Sequence, residues 1–236
     1  GMIPIENSIA GRVADLHQLL PDSSLHIIGE HFLRINHQLL APRGATLEGL
    51  REVHSHVQAL GQCQGTLRRL GLKPVVHADT AGAAKEIARR NDPAVGAIAS
   101  ALAGEIYDLD LIQANVEDAA HNTTRFVILS RDAVKAPENT GLCMISFMFQ
   151  VRNVPAALYK AMGGFATNGI NMTKLESYQV GGTFTATQFY AEIEGHPSER
   201  RIQLALEELG FFTTKVRIFG VYPGHPFRTQ RPDALV

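Results

Sequence analysis

Residues 119–132 read AAHNTTRFVILSRD. Within them, residues 126–129 (Phe-Val-Ile-Leu) form a short apolar run of the length that fills a buried strand. Asn122, Thr123, Thr124 and Arg125 come just before it: an amide, two hydroxyls and a guanidinium. Polar donors crowded at the mouth of a buried strand are where an α/β protein presents its chemistry. A polar turn with a solvated arginine fits the same four residues, so the weight falls on the rest of the chain.

Upstream, strand and helix patterns alternate. A strand fragment at 3–5 leads through Glu6-Asn7-Ser8 into a helix expected over 9–20, with Asn7 or Ser8 as its N-cap. Strands are expected at 25–30 and 31–40, a turn at 42–44, a short helix at 46–52 and a strand at 53–55. A helix over 56–70 is closed by Gly71. A strand at 74–78, a helix at 80–90, a strand at 94–99, a helix at 102–107 and a strand at 111–114 follow. This alternation predicts βαβ units and a mostly parallel sheet.

Downstream, residues 133–140 are polar and contain Pro137, which marks a linker and a domain boundary. The pattern then restarts. It runs as a strand at 142–151, a helix at 155–168 with Pro155 in its first turn, and a strand at 172–179. A hairpin turn at 180–183, a strand at 184–193, a helix at 198–209 and a strand at 214–222 complete a βαββαβ unit. The expected segments are therefore 1–132, the linker 133–141, a second domain at 142–222 and a loose tail at 223–236.

Composition narrows the classes. The 236 residues are 45% hydrophobic, enough for one large or two small domains. A net charge of -1 steers away from nucleic acid and anionic membranes. Cys63 and Cys143 lie far apart with no CxxC partner, which fits a reducing compartment. No apolar run reaches spanning length and no charged-then-apolar leader is present, so a cytoplasmic protein is expected. The opening GMIPIE reads as the end of a buried strand, as if Gly1 were an expression scar or upstream residues were missing.

Four polar clusters follow strand ends: Glu6-Asn7-Ser8, Ser55-His56, Asp79-Thr80 and Thr123-Thr124-Arg125. In a parallel sheet, ligands bind at the carboxyl ends of the strands, so the clusters point to one cleft. Ser8 and Thr80 also read as helix caps, and the two roles are compatible because a helix N-terminus is itself an anion site. His54-x-His56 lacks a third ligand at a known spacing, so no metal is expected. Ser55-His56 is a poor nucleophile pair, because neighbours on a strand point to opposite faces. Cys63 reads as a packed thiol, and Asn122-Thr-Thr124 as a chance sequon. Gly61, Gly65 and Gly71 lie in and after a helix, which is not the setting of a dinucleotide fingerprint.

Taken in order, these stretches resemble a known family. Pro4-Ile-Glu-Asn-Ser8 with Gly11 is similar to its PIENS motif, and Ser55-His-Val-Gln-Ala-Leu-Gly-Gln-Cys63 to its SHPQALxQC motif. Thr80-Ala-Gly-Ala-Ala84, Ala97-Ile-Ala-Ser100 and Asn122-x-Thr-Arg-Phe126 complete the set, which resembles prephenate dehydratase. Residues 142–222 resemble its ACT regulatory module. Pro155-Ala-Ala-Leu158 stands at the GAL-type turn, and Asn171-Met-Thr-Lys-Leu-Glu-Ser177 at NLTKIES.

The resemblance implies an α/β fold. Its catalytic domain would be like a type II periplasmic binding protein, lacking part of one lobe, with a ferredoxin-like ACT domain after it. It implies decarboxylative dehydration of prephenate to phenylpyruvate without cofactor or metal, feedback by L-phenylalanine, and a homodimer or homotetramer. Thr124, Glu6, Asn7, Ser55 and Gln62 would be catalytic, with Thr124 the proton donor. Ser8, Thr80, Asp79, Arg125 and Phe126 would bind substrate, Glu6 and Asp79 by orienting neighbours. Ala156, Ala157, Leu158, Asn171, Met172, Thr173, Glu176 and Ser177 would bind the effector. The departures are Val57 for proline, Tyr178-Gln179 for Arg-Pro, and the absent upstream glycine-rich segment, without which slower turnover is expected. Two readings stay beside it: arogenate as substrate, and a catalytically silent small-molecule sensor of the same architecture.

Overall fold

A computed structural model describes residues 1–12, 19–179 and 186–229. The strands and helices, in chain order, are β1 (Met2–Asn7), β2 (Gly11–Arg12), β3 (His26–Arg34), β4 (Gln38–Ala41), β5 (Glu52–Ser55), α1 (Val57–Gln62), α2 (Gln64–Leu70), β6 (Lys73–Val76), α3 (Thr80–Arg90), β7 (Val95–Ala99), α4 (Ala101–Tyr107), β8 (Asp110–Gln113) and β9 (Thr123–Ser130). After them come β10 (Cys143–Val151), α5 (Ala157–Thr167), β11 (Met172–Gln179), β12 (Ala186–Glu194), α6 (Arg200–Phe212) and β13 (Thr213–Pro223). Contacts divide the chain into two compact units: residues 8–11 with 34–124, and residues 1–7, 12–33 and 125–236. The expected segments follow the chain, whereas the units cut across them, because β1, β3 and most of β9 fold with the second half.

The unit built on 34–124 holds the sheet β6-β5-β7-β4-β8. β5 runs parallel to β6 and β7, while β4 is antiparallel to β7 and β8. The sheet is thus mixed: β5, β6, β7 and β8 run one way, and β4 runs against its neighbours. Helices cover both faces, which is why these strands read as continuous apolar runs. On one face Leu39, Val53 and Ile98 pack against Ala59, Leu60 and Leu67 of α1 and α2. On the other, Leu40, Val95, Ala97 and Ala99 meet Ala83, Ala84 and Ile87 of α3. The single helix expected over 56–70 is two, broken at Cys63 (φ -115°, ψ 12°). The Asp118 carboxylate caps the second by accepting from Gly65 and Thr66 N–H at 2.7 and 2.9 Å. Gly71 closes it at φ 68°, as expected.

The other unit pairs two sheets, β2-β1-β9-β3 and β11-β12-β10-β13. β10 is antiparallel to both β12 and β13, the order of a split βαβ unit. Its side chains alternate between two cores. Ile145, Phe147, Phe149 and Val151 join Ala161 and Phe165 of α5 and Ile202, Ala205 and Leu209 of α6. Met144 and Met148 join Ile5, Ile27, Val127 and Leu129 of the first sheet. Gly220 marks the closest approach: a Cβ there would lie 1.9 Å from the Ile27 carbonyl oxygen. Gly220→Ala is therefore expected to lower stability by about 1–3 kcal/mol through overpacking. Gly210→Ala, in open space on α6, should raise it by up to about 1 kcal/mol. Denaturant midpoints of the two variants check the contrast.

Several expected boundaries move. Residues 8–10 form a turn and Gly11 takes φ 73° in β2, so no helix starts at residue 9; residues 13–18 lie outside the described residues. The strands expected at 25–30 and 31–40 are one strand, β3, followed by β4, and 46–52 shrinks to a single 3-10 turn over Leu47–Gly49. Pro155 stands outside α5, because Ala156 adopts a left-handed conformation (φ 62°). The turn expected at 180–183 is outside the described residues, as is the tail from 230. The start of that tail is not loose: Pro226–Arg228 form a 3-10 turn and Arg228 is pinned by two carboxylates. Among the described residues no helix is long and apolar enough to cross a membrane.

Candidate active site

β5, β6 and β7 point the same way, so their carboxyl ends share one sheet edge. α1, α3 and α4 begin there, capped by His56, Asp79 and Ser100. The start of β4 and the end of β8 reach the same edge, as the pairs Gln38–Ala99 and Leu39–Gln113 show. Polar side chains gather along it. Ser55 is fully buried and its hydroxyl donates to the Ile98 carbonyl at 2.5 Å. With its proton committed to Ile98, Ser55, which the resemblance makes catalytic, can offer only lone pairs. Asp79 accepts from Gly82 N–H at 2.5 Å, which holds the first turn of α3 with Thr80 at its head. A Cβ on residue 82 would lie 2.6 Å from the Asp79 carboxylate, so glycine is needed there.

Gln62 belongs to the same unit. Its side-chain oxygen accepts from Asn122 Nδ2 at 2.9 Å and faces His37 Nε2 at 2.7 Å. Ser8 is not a helix cap but a clasp on residues 121–123. Its hydroxyl donates to the His121 carbonyl at 2.7 Å and accepts from Thr123 N–H at 3.0 Å. Its own N–H donates to the Thr123 carbonyl at 2.9 Å. Thr124 follows directly and is 9% exposed. The structure therefore brings Ser8 to the Asn122–Thr124 segment, and that segment to Gln62.

Arg125 and Glu6 belong to the other unit and do different work. Arg125 is 2% exposed. Its Nε donates to Glu30 at 2.7 Å, Nη1 to Glu6 at 2.8 Å, and Nη2 to Glu192 at 3.0 Å and Tyr222 Oη at 3.1 Å, and Nη1 also lies 2.7 Å from Glu192 as an ion pair. Four of the five guanidinium N–H groups donate to the protein's own side chains. Arg125, expected to bind substrate, is thus engaged with Glu6, Glu30, Glu192 and Tyr222. Lys174 bridges Glu6 (2.6 Å) and Glu176 (2.8 Å), Arg228 bridges Glu30 (2.6 Å) and Glu192 (3.3 Å), and Arg12 approaches Glu176 at 3.6 Å. Arg12, Arg125, Lys174 and Arg228 thus face Glu6, Glu30, Glu176 and Glu192, a balanced set, which is what lets so much charge be buried. Burial alone would raise the Glu6 carboxyl, but Lys174 and Arg125 hold it down at about 2. Glu30 is likewise lowered: burial opposes this, and Arg228 and Arg125 outweigh it.

Among the remaining expected residues, Asn7 is buried at the end of β1 and Phe126 is half-buried on β9. In the second module, Ala156 precedes α5 and supplies no side-chain cap, and Ala157 and Leu158 open the helix. Asn171 takes Glu194 N–H on its carbonyl, Met172 packs on the core, and Thr173 and Ser177 lie on the edge strand β11. Glu176 is occupied by Lys174 and by the Tyr178 hydroxyl at 3.0 Å. Cys63 is fully buried and inert: burial, with Asp118 and Glu117 nearby, pushes its thiol to about 12. His54 pairs with Glu52 at 3.1 Å. Sequence reasoning passed over His37, Glu30, Glu192 and Tyr222. The one usable signal was a glutamate alternating onto the inner face of β12.

The sequence and the fold were then compared with known proteins. The prephenate dehydratase family matches residues 1–134. A bifunctional N-acyl-homoserine lactone acylase/prephenate dehydratase of Komagataeibacter europaeus is 51% identical over 232 residues, covering 97% of this chain and 82% of that protein. Arogenate dehydratase/prephenate dehydratase 2 of Arabidopsis thaliana is 38% identical, covering 94% of this chain and 60% of the plant protein. Among solved structures, a prephenate dehydratase from Arthrobacter aurescens in complex with L-Phe superposes with a TM-score of 0.84 at 25% identity, over 94% of this chain and 74% of that one. The chain therefore spans most of the Komagataeibacter protein and less than two thirds of the plant one. The family match takes in more than half of the 236 residues, along with every strand-end cluster upstream of the linker, and the chain belongs to the prephenate dehydratase family.

Proposed function

We propose that this chain catalyses the decarboxylative dehydration of prephenate to phenylpyruvate and is regulated by L-phenylalanine through residues 142–222. In the reaction the bond to the ring carboxylate breaks and its electron pair enters the ring. The ring carbon–oxygen bond breaks in turn, and the departing hydroxide takes up a proton. One dianion and one proton become phenylpyruvate, carbon dioxide and water, and the aromatic ring formed supplies the driving force. The protein has three tasks: to hold a dianion, to leave one carboxylate free to go, and to place a donor at the hydroxyl.

The observation that carries the reading is the polar sheet edge of the unit built on 34–124, with Gln62 tied in the same unit to Asn122, two residues before Thr124. Thr124 is the donor to the leaving hydroxyl, and its help grows as negative charge develops there. Gln62 and Thr80 serve the carboxylate and keto groups. Ser8 and Asp79 act by holding segments in place, and Ser55 acts as an acceptor. Support for the effector comes from the Arthrobacter structure and from α5, whose N-terminus lacks a side-chain cap and so can take a carboxylate. Ala156, Ala157 and Leu158 would meet the effector there, with Asn171, Met172, Thr173 and Ser177 on the adjoining strand.

The test is phenylpyruvate formation from prephenate by the protein at the length of its relatives, with and without L-phenylalanine. The expected result is turnover that falls when the amino acid is added. Arogenate in parallel separates the two substrates. Heat on titration with L-phenylalanine but no turnover of either substrate would leave the silent sensor. The name of the Komagataeibacter relative brings a second reading, hydrolysis of N-acyl-homoserine lactones, and the same preparation tests it by release of homoserine lactone.

A further inference from the structure

We infer that His37 is a positioning residue for Gln62, fixing which end of that amide faces the substrate. The inference rests on the dehydratase reading of Gln62. The Gln62 side-chain oxygen is held from two sides, by Asn122 Nδ2 at 2.9 Å and His37 Nε2 at 2.7 Å. Asn122 is fully buried and His37 is 6% exposed, so water does not compete for either contact. An amide oxygen has two lone pairs, and two donors saturate it. The amide nitrogen then points away from this pair and is left as a donor. Turning the amide over would set its N–H groups against two donors and abandon two buried hydrogen bonds.

One loop fixes both ends of this arrangement. The His37 N–H donates to the Glu117 carboxylate at 2.8 Å, and its carbonyl accepts from Val116 N–H at 2.9 Å. Asp118 N–H donates to the Gln62 carbonyl at 2.8 Å, and the Asp118 carboxylate caps α2 directly after the break at Cys63. Residues 116–118 therefore set the distance between the imidazole and the amide. The same loop causes the helix break that puts Gln62 at the end of α1. The contact requires His37 to carry its proton on Nε2.

In the protein at the length of its relatives, His37→Phe keeps the ring and removes the donor. It is expected to lower kcat/KM for prephenate by about 10–100-fold, the scale of one misdirected buried hydrogen bond. His37→Gln, which can present an amide N–H to the same oxygen, should recover most of that loss. On a Gln62→Ala background, His37→Phe should change kcat/KM by less than about twofold, because residues acting as one unit are not additive. Nitrogen-15 NMR of the imidazole should show the Nε2–H tautomer whether or not substrate is present. Additive losses, undiminished turnover in His37→Phe, or an Nδ1–H tautomer would each overturn the inference. Absence of phenylpyruvate from the unsubstituted protein is a different outcome: it removes the dehydratase reading, and the positioning role with it.

Discussion

Arg125→Met is expected to destabilise the unit containing residues 125–229 by about 3–5 kcal/mol, the scale of removing one partner from a buried ion pair. Arg125 is the common partner of Glu6, Glu30 and Glu192. The side chains of Glu30 and Glu192 are fully buried. Without the guanidinium, Arg228 is the remaining cation paired with these two carboxylates, and it is half-committed to each. Methionine fills much the same volume, so the loss reads the charge and not a cavity. Arg125→Lys should recover little, because one ammonium cannot reach carboxylates held around a planar fork. Arg43, paired with Asp108 on the surface with both side chains 71% exposed, is the internal control, and its loss should cost less than about 1 kcal/mol.

The same network predicts the acid limb of stability. Glu6 titrates at about 2 in the folded chain, below its ordinary 4.5, and Glu30 is lowered as well. A lowered carboxyl contributes stability that is fully present above about 4.5 and is lost as the pH falls through about 2. Urea midpoints should therefore drop between those values in the native chain, and the drop should be smaller in Arg125→Met. A midpoint that is unchanged by the substitution at pH 7 would show the network to be dispensable.

The elements whose limits were legible in the sequence are those fixed by neighbours in the chain. α3 runs from 80 to 90 as expected, because Asp79 caps one end and Asn91, in a left-handed conformation, closes the other. β11 spans 172–179 as expected, its exposed and inner side chains alternating along one edge. The failures share the opposite cause. The break at Cys63 comes from Asp118, more than fifty positions away, which caps Gly65 and Thr66. The ion pairs of Arg125 leave no local mark because its partners lie 67 to 119 residues off. Glu192 sits on the inner face of β12 because a second sheet covers it, and that cover comes from strands β1, β3 and β9, which the chain places before the linker. Ser8 and Gln62 stand in recognisable motifs, while their partners His121 and His37 have no motif to mark them.

Thr124→Val should lower kcat for prephenate by about 10²–10⁴-fold, the contribution of one positioned proton donor, or about 3–5 kcal/mol of barrier. The substitution keeps the branched shape and swaps a hydroxyl for a methyl. Valine is also favoured in strands, so β9 should persist. The residue is 9% exposed and follows the clasp that Ser8 makes on His121 and Thr123. KM should change far less than kcat, because a threonine hydroxyl binds the leaving group weakly until charge builds on it. Thr124→Ser should restore a large part of the rate, since it returns the donor without the methyl. L-phenylalanine titration should give the same affinity in all three proteins. Equal kcat in Thr124→Val and the unsubstituted chain would mean that the proton comes from elsewhere, and the donor would then have to be sought at Thr80 or the Gln62 amide.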